Sequence, residues 1–148
     1  GEYPGFELYE LTGDWRGYEY LKFSLYNGRS SNMEIVLKIY DRQHPRNGYE
    51  YEDRFNRPII LQPGWNDVTV KLEDVYQAPG SRAMDMMDIV NISLFLVNQK
   101  QPVSMYFDYL YLSNEGSQES MGLETRRGEE QALRGALVVP TITQNTPD

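Results

Sequence analysis

Between residues 20 and 112 the sequence repeats one pattern, short runs of alternating apolar and polar residues, each closed by a turn. A period of two places every second side chain on one face of an extended strand, so each run buries a single face. In Tyr20-Leu21-Lys22-Phe23-Ser24-Leu25-Tyr26, Leu21, Phe23 and Leu25 share a face, and Asn27-Gly28 ends the run. Residues 34–40 direct Ile35, Leu37 and Ile39 the same way, and Val68, Val70 and Leu72 follow the turn Pro63-Gly64-Trp65-Asn66. Ile92, Leu94 and Leu96 form a further face, and residues 103–112 supply a last long strand. Residues 6–11 and 49–55 are weaker candidates for two more, and only 73–76 and 84–90 hint at a helical turn. No ten-residue amphipathic helix separates the strands, which argues against a parallel α/β sheet. About seven strands at this spacing predict an all-β chain, a jelly-roll β-sandwich of two antiparallel sheets.

The aromatic residues mark a boundary. All 12 Tyr, 5 Phe and 2 Trp lie at or before Tyr111. Beyond them, Gly116-Ser117-Gln118-Glu119-Ser120 is linker-like, residues 124–134 resemble a short charged helix, and Pro140 precedes a Thr/Gln/Asn/Pro ending. The expected organisation is a sandwich over residues 1–114, lacking its first strand or two, and a linker or mostly irregular tail over 115–148. Within that tail, 136–139 has the composition of a strand that would fill a vacant sheet edge. The chain opens on Gly1-Glu2-Tyr3-Pro4, without Met, signal peptide or membrane-spanning run. An upstream part carrying the targeting information is therefore expected.

Several kinds of chemistry are disfavoured. The net charge of −8 argues against nucleic acid, whose phosphates require clustered Lys and Arg. Residues 1–114 hold 16 acidic and 11 basic side chains, and neither this part nor the remainder carries a basic patch. The absence of Cys excludes disulfides, thiol catalysis and zinc–thiolate sites. The single histidine, His44, lies in a polar stretch with Pro45 and Gly48 and reads as an exposed loop residue. One histidine cannot make a multi-histidine metal site, and no nucleophile turn, phosphate loop or dinucleotide fingerprint accompanies it. Carboxylates are plentiful, but a glycosidase needs two facing one sugar, and nothing in the spacing singles out a pair. The expectation is a protein without catalytic activity.

What remains is binding. Sugar rings need an apolar platform for their C–H faces and planar polar groups for adjacent hydroxyls. The segment Tyr49-Glu50-Tyr51-Glu52-Asp53-Arg54-Phe55-Asn56-Arg57 offers both. As a strand it would place Tyr49, Tyr51, Asp53 and Phe55 on one face; the plainer alternative is a polar edge strand. Trp15 sits in a loop before one strand and Trp65 in a tight turn before another, each suited either to a lid over the sandwich or to ligand contact. Tyr76 and Gln99 are loop-borne candidates of the same kind. With Asp41, the candidate sugar contacts are Trp15, Asp41, Tyr49, Tyr51, Asp53, Arg54, Trp65, Tyr76 and Gln99. Asp108 interrupts the apolar run Met105-Tyr106-Phe107-Asp108-Tyr109-Leu110-Tyr111-Leu112, so its carboxylate must be hydrogen-bonded, ion-paired or bound to a metal such as calcium.

The order Asp14-Trp15-Arg16-Gly17-Tyr18-Glu19-Tyr20-Leu21-Lys22-Phe23, Leu37-Lys38-Ile39-Tyr40-Asp41, Asp53-Arg54-Phe55, Leu61-Gln62-Pro63-Gly64-Trp65-Asn66 and Tyr106-Phe107-Asp108-Tyr109-Leu110-Tyr111-Leu112 resembles carbohydrate-binding-module-like domains of galactose-binding-like fold. Such domains occur beside glycoside hydrolases and, in some bacteria, behind the membrane helices of VanZ-like proteins. The resemblance covers residues 3–113 and lacks a strand or two usually found before Tyr3. It implies a polysaccharide or envelope-glycan partner, covalent linkage to other domains, and an extracellular or periplasmic setting, with membrane attachment through a missing segment as one form. It also implies a structural Ca2+ held in part by Asp108, with further ligands near the domain's start. The alternative is a structural or protein-interaction sandwich of a bacterial envelope protein, without sugar binding. Exposed aromatics rimmed by polar groups would favour sugar; fully buried ones would favour the structural reading.

Overall fold

The structure is a computed structural model and describes residues 5–8, 11–97, 103–114 and 138–142. Eight strands are formed in chain order: β1 (Gly5–Glu7), β2 (Tyr20–Asn27), β3 (Met33–Asp41), β4 (Phe55–Leu61), β5 (Gly64–Lys71), β6 (Ile89–Leu96), β7 (Val103–Ser113) and β8 (Val138–Ile142). Two short helices interrupt them, α1 (Gln43–Arg46) and α2 (Leu72–Tyr76), with a 3₁₀ turn at Tyr51–Asp53. The first sheet runs β1-β6-β3-β4 and the second β5-β2-β7-β8. Every pairing is antiparallel. The chain is thus an all-β sandwich, as the alternation predicts.

The alternation specified the central part of the core. Leu21, Phe23 and Leu25 of β2 face Ile35, Leu37 and Ile39 of β3 and Ile92, Leu94 and Leu96 of β6, all buried between the sheets. Phe23 stacks on Phe107 with ring centroids 5.7 Å apart. Each such side chain contributes roughly 1.5–3 kcal/mol by leaving water.

Several local expectations change. Residues 56–61 carry no clean alternation, yet they complete β4. Pro58 cannot donate to a ladder, which confines β4 to the sheet edge where it is found. Trp65 lies within β5 rather than in a turn; Gly64, at φ 91°, makes the turn before it. Residues 84–90 form no helix, whereas 43–46 do. Val138–Ile142 pairs with β7, so the sandwich gains one edge strand from the region expected to be tail. A register shift between Lys22 and Ser24 opposes a bulge in β7, where Tyr109 adopts φ 51°. The bulge breaks the alternation that an unbroken period of two would impose on Asp108, Leu110 and Leu112. No helix among the described residues is long and apolar enough to cross a membrane.

Candidate functional site

The strand registers decide which loops meet. Tyr20 pairs with both Lys71 and Ser113, and Asp41 lies opposite Ile89, so the loops 11–19, 42–54 and 72–88 share one end of the sandwich. Backbone hydrogen bonds join them into one unit. The Trp15 N–H donates to Met86 O (2.7 Å), Met84 N–H to Tyr76 O (2.9 Å), and Gly80 N–H to Glu52 O (2.8 Å). Gly13 and Ile89 bond reciprocally at 2.7 and 2.9 Å.

Beneath these loops sits a charge cluster centred on Arg82. Its guanidinium donates twice to Asp41 (2.7 and 2.9 Å) and twice to Asp53 (2.7 and 3.0 Å). Asp41 is fully buried, and it also accepts the N–H groups of His44 (3.1 Å) and Asp85 (2.7 Å). Asp53 also accepts from Asn47 (3.1 Å) and lies 3.3 Å from His44 Nδ1. Burial pushes the Asp41 carboxyl up, but the Arg82 hydrogen bonds and the two N–H groups outweigh it and hold it below the usual range. The hydrogen bonds from Arg82, against some desolvation, take Asp53 from its ordinary 3.8 to about 2. The same carboxylates hold the Arg82 pKa above its ordinary value. Two carboxylates clamped by one guanidinium are fixed as anions, which suits anchoring and not proton transfer.

His44 corrects the sequence expectation. It is fully buried, 4.6 Å from the Tyr40 ring and 5.4 Å from Tyr49 by centroids, because α1 turns it inward against Asp53. The segment 49–55 is likewise no strand. Tyr49 turns at φ 58° after Gly48, the 3₁₀ turn follows, and the expected single face is divided. Tyr49 and Tyr51 point outward, 58% and 66% exposed, whereas Asp53 and Phe55 are buried.

Among the described residues, two grooves open at this end. One, of about 510 Å³, is lined by Trp15, Arg16, Tyr18, Glu73, Tyr76 and Asp85, with Met84, Met86 and Met87 alongside. Tyr18 and Tyr76 are 46% and 44% exposed. Trp15 is 1% exposed, and its indole N–H is bound to Leu11 O at 2.6 Å, so it is a floor and lid of the core, with no ring face free to stack on a sugar. The other groove, of about 540 Å³, is lined by Tyr51, Arg54, Asn56, Arg57, Asp74 and Gly80, among others. The helix α2 supplies Glu73 and Tyr76 to the first and Asp74 to the second.

Of the residues named from sequence, Tyr49, Tyr51, Arg54 and Tyr76 reach the surface of this end. Asp41 and Asp53 lie beneath it, occupied by Arg82. Trp65 stands near the opposite end, on the outer face of the second sheet, where its ring meets Tyr26 edge-on at 5.3 Å. Gln99 lies outside the described residues. The sequence does not single out Tyr18 or Arg82. Tyr18 occurs in the resembling stretch but alternates with nothing, and no local pattern ties Arg82 to partners 29 and 41 residues away.

Asp108 is fully buried on the outer face of the second sheet, and its Oδ1 accepts the Tyr109 N–H at 3.1 Å. Ser24 is in cross-strand register with both Asp108 and Asp67, and its hydroxyl donates to Asp67. Two carboxylates and a hydroxyl are hard donors of the right kind but fall short of the six to eight oxygens calcium takes. Among the described residues no group of three or more His, Cys, Asp or Glu is placed to hold a metal. Residues 1–4 and 9–10, near the start where the resemblance places further ligands, lie outside the described residues.

No family model matches the chain, and no curated protein matches it. Among solved structures it is similar to the crystal structure of an agarase, AgWH50C, with a TM-score of 0.56 and 14% identity. The match covers 76% of this chain and 20% of that one, so this chain corresponds to about a fifth of the agarase's length. At that identity the likeness establishes the fold.

Proposed function

We propose that the chain is a non-catalytic carbohydrate-binding module that holds a polysaccharide or envelope glycan across its loop end. The observation that carries this reading is the groove between Tyr18 and Tyr76. Two half-exposed phenol rings, one from the loop 11–19 and one from the end of α2, flank a cleft whose polar groups are Arg16, Glu73 and Asp85. Rings of this kind supply stacking surface, and the charged groups supply hydrogen bonds to hydroxyls. The likeness of the sandwich to part of an agarase adds support for a carbohydrate-related role and makes agarose the first ligand to try. Asp41 and Asp53, clamped together by Arg82, are not available as a glycosidase acid and base. An extracellular or periplasmic setting, joined to further domains, follows from the same reading.

Affinity electrophoresis and calorimetry against agarose and a panel of plant, algal and envelope glycans test it. Weak binding is expected, because an open groove buries little surface. Tyr18→Ala and Tyr76→Ala should each lower affinity about tenfold without lowering the melting temperature. No binding to any glycan, neutral or acidic, would overturn the proposal.

A second reading, a protein-interaction sandwich without sugar binding, draws on the row Trp65–Tyr26–Tyr106, which crosses the other sheet edge-to-face at 5.3 and 5.5 Å. It makes Trp65→Ala, and not Tyr76→Ala, the variant that abolishes association with a partner.

A further inference from the structure

The outer face of the first sheet carries two cations in an unusual setting. Lys38 of β3 is in register with Asn56 of β4, and Arg54 bends over that same position, its Nε donating to Asn56 Oδ1 at 2.9 Å. Both side chains are only partly exposed. Arg16, Arg42, Arg57 and Arg82 are each ion-paired to an aspartate. Lys38 and Arg54, by contrast, have no ion pair among the described residues, in a chain with 22 acidic side chains.

Their neighbours are rings. The Lys38 ammonium lies 4.8 Å from the Phe95 centroid and 5.6 Å from that of Tyr40, and the Arg54 guanidinium lies 5.1 Å from that of Tyr51. Tyr40 in turn meets Tyr49 edge-on at 6.2 Å. Desolvation lowers the Lys38 pKa, the positive charge of Arg54 lowers it further, and only Glu7 opposes them. Two cations that repel each other on a half-buried face, beside exposed tyrosines, are compensated when an anion enters between them.

We propose that Lys38 and Arg54 form an anion subsite that takes the sulfate or carboxylate of an acidic saccharide, with Tyr49 and Tyr51 as its ring contacts. The subsite rests on the carbohydrate-binding reading and narrows it to charged glycans. The Arg54 fork donates its terminal N–H groups to two oxygens of the anion, and Lys38 contributes a point charge. The net charge of −8 does not forbid this. At about 0.1 M salt the screening length is roughly 10 Å, so distant carboxylates count little. The acidic groups the anion meets nearby are Glu7 beside Lys38, and Glu52 and Asp74 in the groove that Arg54 lines, Asp74 already paired with Arg57.

Calorimetry at two salt concentrations with a sulfated galactan, a uronate polymer and neutral agarose tests the subsite. The expected result is tighter binding of an acidic polymer than of agarose, weakening with salt. Preference between the sulfated and uronate polymers identifies the anion. Lys38→Gln and Arg54→Gln should each cost about tenfold for the acidic polymer only, Arg54→Lys should recover part of the loss, and melting temperatures should hold. Equal affinity for acidic and neutral galactans, or unchanged acidic-polymer binding by both glutamine variants, would overturn the subsite while leaving Tyr18 and Tyr76 as the sugar site. Failure of every polymer to bind would overturn both proposals.

Discussion

Arg82 shows how one side chain can organise a whole surface. Its fork ties Asp41, at the end of β3, to Asp53, in the turn before β4, and so fixes the loop that presents Tyr49 and Tyr51. Arg82→Met removes the compensation of two nearly buried carboxylates, and an uncompensated buried charge costs roughly 3–5 kcal/mol. A clear fall in melting temperature is expected, and an unchanged one would show the cluster to be dispensable. The same cluster sets the acid limit. Asp41 and Asp53 are both held below their ordinary values in the folded state. Their contribution is therefore complete above the ordinary value of 3.8 and is lost as the pH falls, for Asp53 toward about 2. Thermal melts between about pH 5 and about pH 2.5 should show this loss, and Asp53→Asn, less stable at the upper end of that range, should show a shallower dependence.

At the level of elements, the segment 49–55 and β4 show what local sequence conveys and what it does not. Seven residues with alternating aromatics read as a strand, but Gly48 and the left-handed Tyr49 turn the chain, and Asp53 is drawn inward by an arginine far along the sequence. The stretch nonetheless presents exposed tyrosine and polar groups, as its composition suggests, because composition survives a change of backbone. For β4 the difficulty is the opposite one. An edge strand with Pro58 needs neither clean alternation nor a full ladder, so its signal is faint. At the β4–β5 turn, Gly64 holds φ 91°, and a methyl group added at its Cα would meet no other atom within 4 Å. Gly64→Ala should thus cost about 1–2 kcal/mol through backbone strain alone, read as a lower denaturation midpoint with an unchanged slope.

For the molecule as a whole, antiparallel pairing gathers three loops at one end, and that is where four of the nine sugar candidates reach the surface. It also sends Trp65 away from them, though turn composition makes Trp65 and Tyr76 look equivalent. The edge of β7 is closed by β8, whose pairing runs from Val103↔Ile142 to Tyr106↔Val138. A chain ending at Asn114 would leave that edge open, and open edges recruit other chains. Lower stability and concentration-dependent self-association in size-exclusion chromatography are expected; a monomer of full stability would contradict the role given to β8.

The sequence by itself determined the two-sheet, all-β architecture and the buried faces of β2, β3 and β6, because alternation and burial are local consequences of one another in a strand. It also singled out 49–57, a segment that presents exposed tyrosines beside polar groups. Only the tertiary structure decided which polar groups are anchors and which are presented. Whether Asp53 faces solvent depends on Arg82, and a pairing between residues so far apart leaves no periodic trace in the chain.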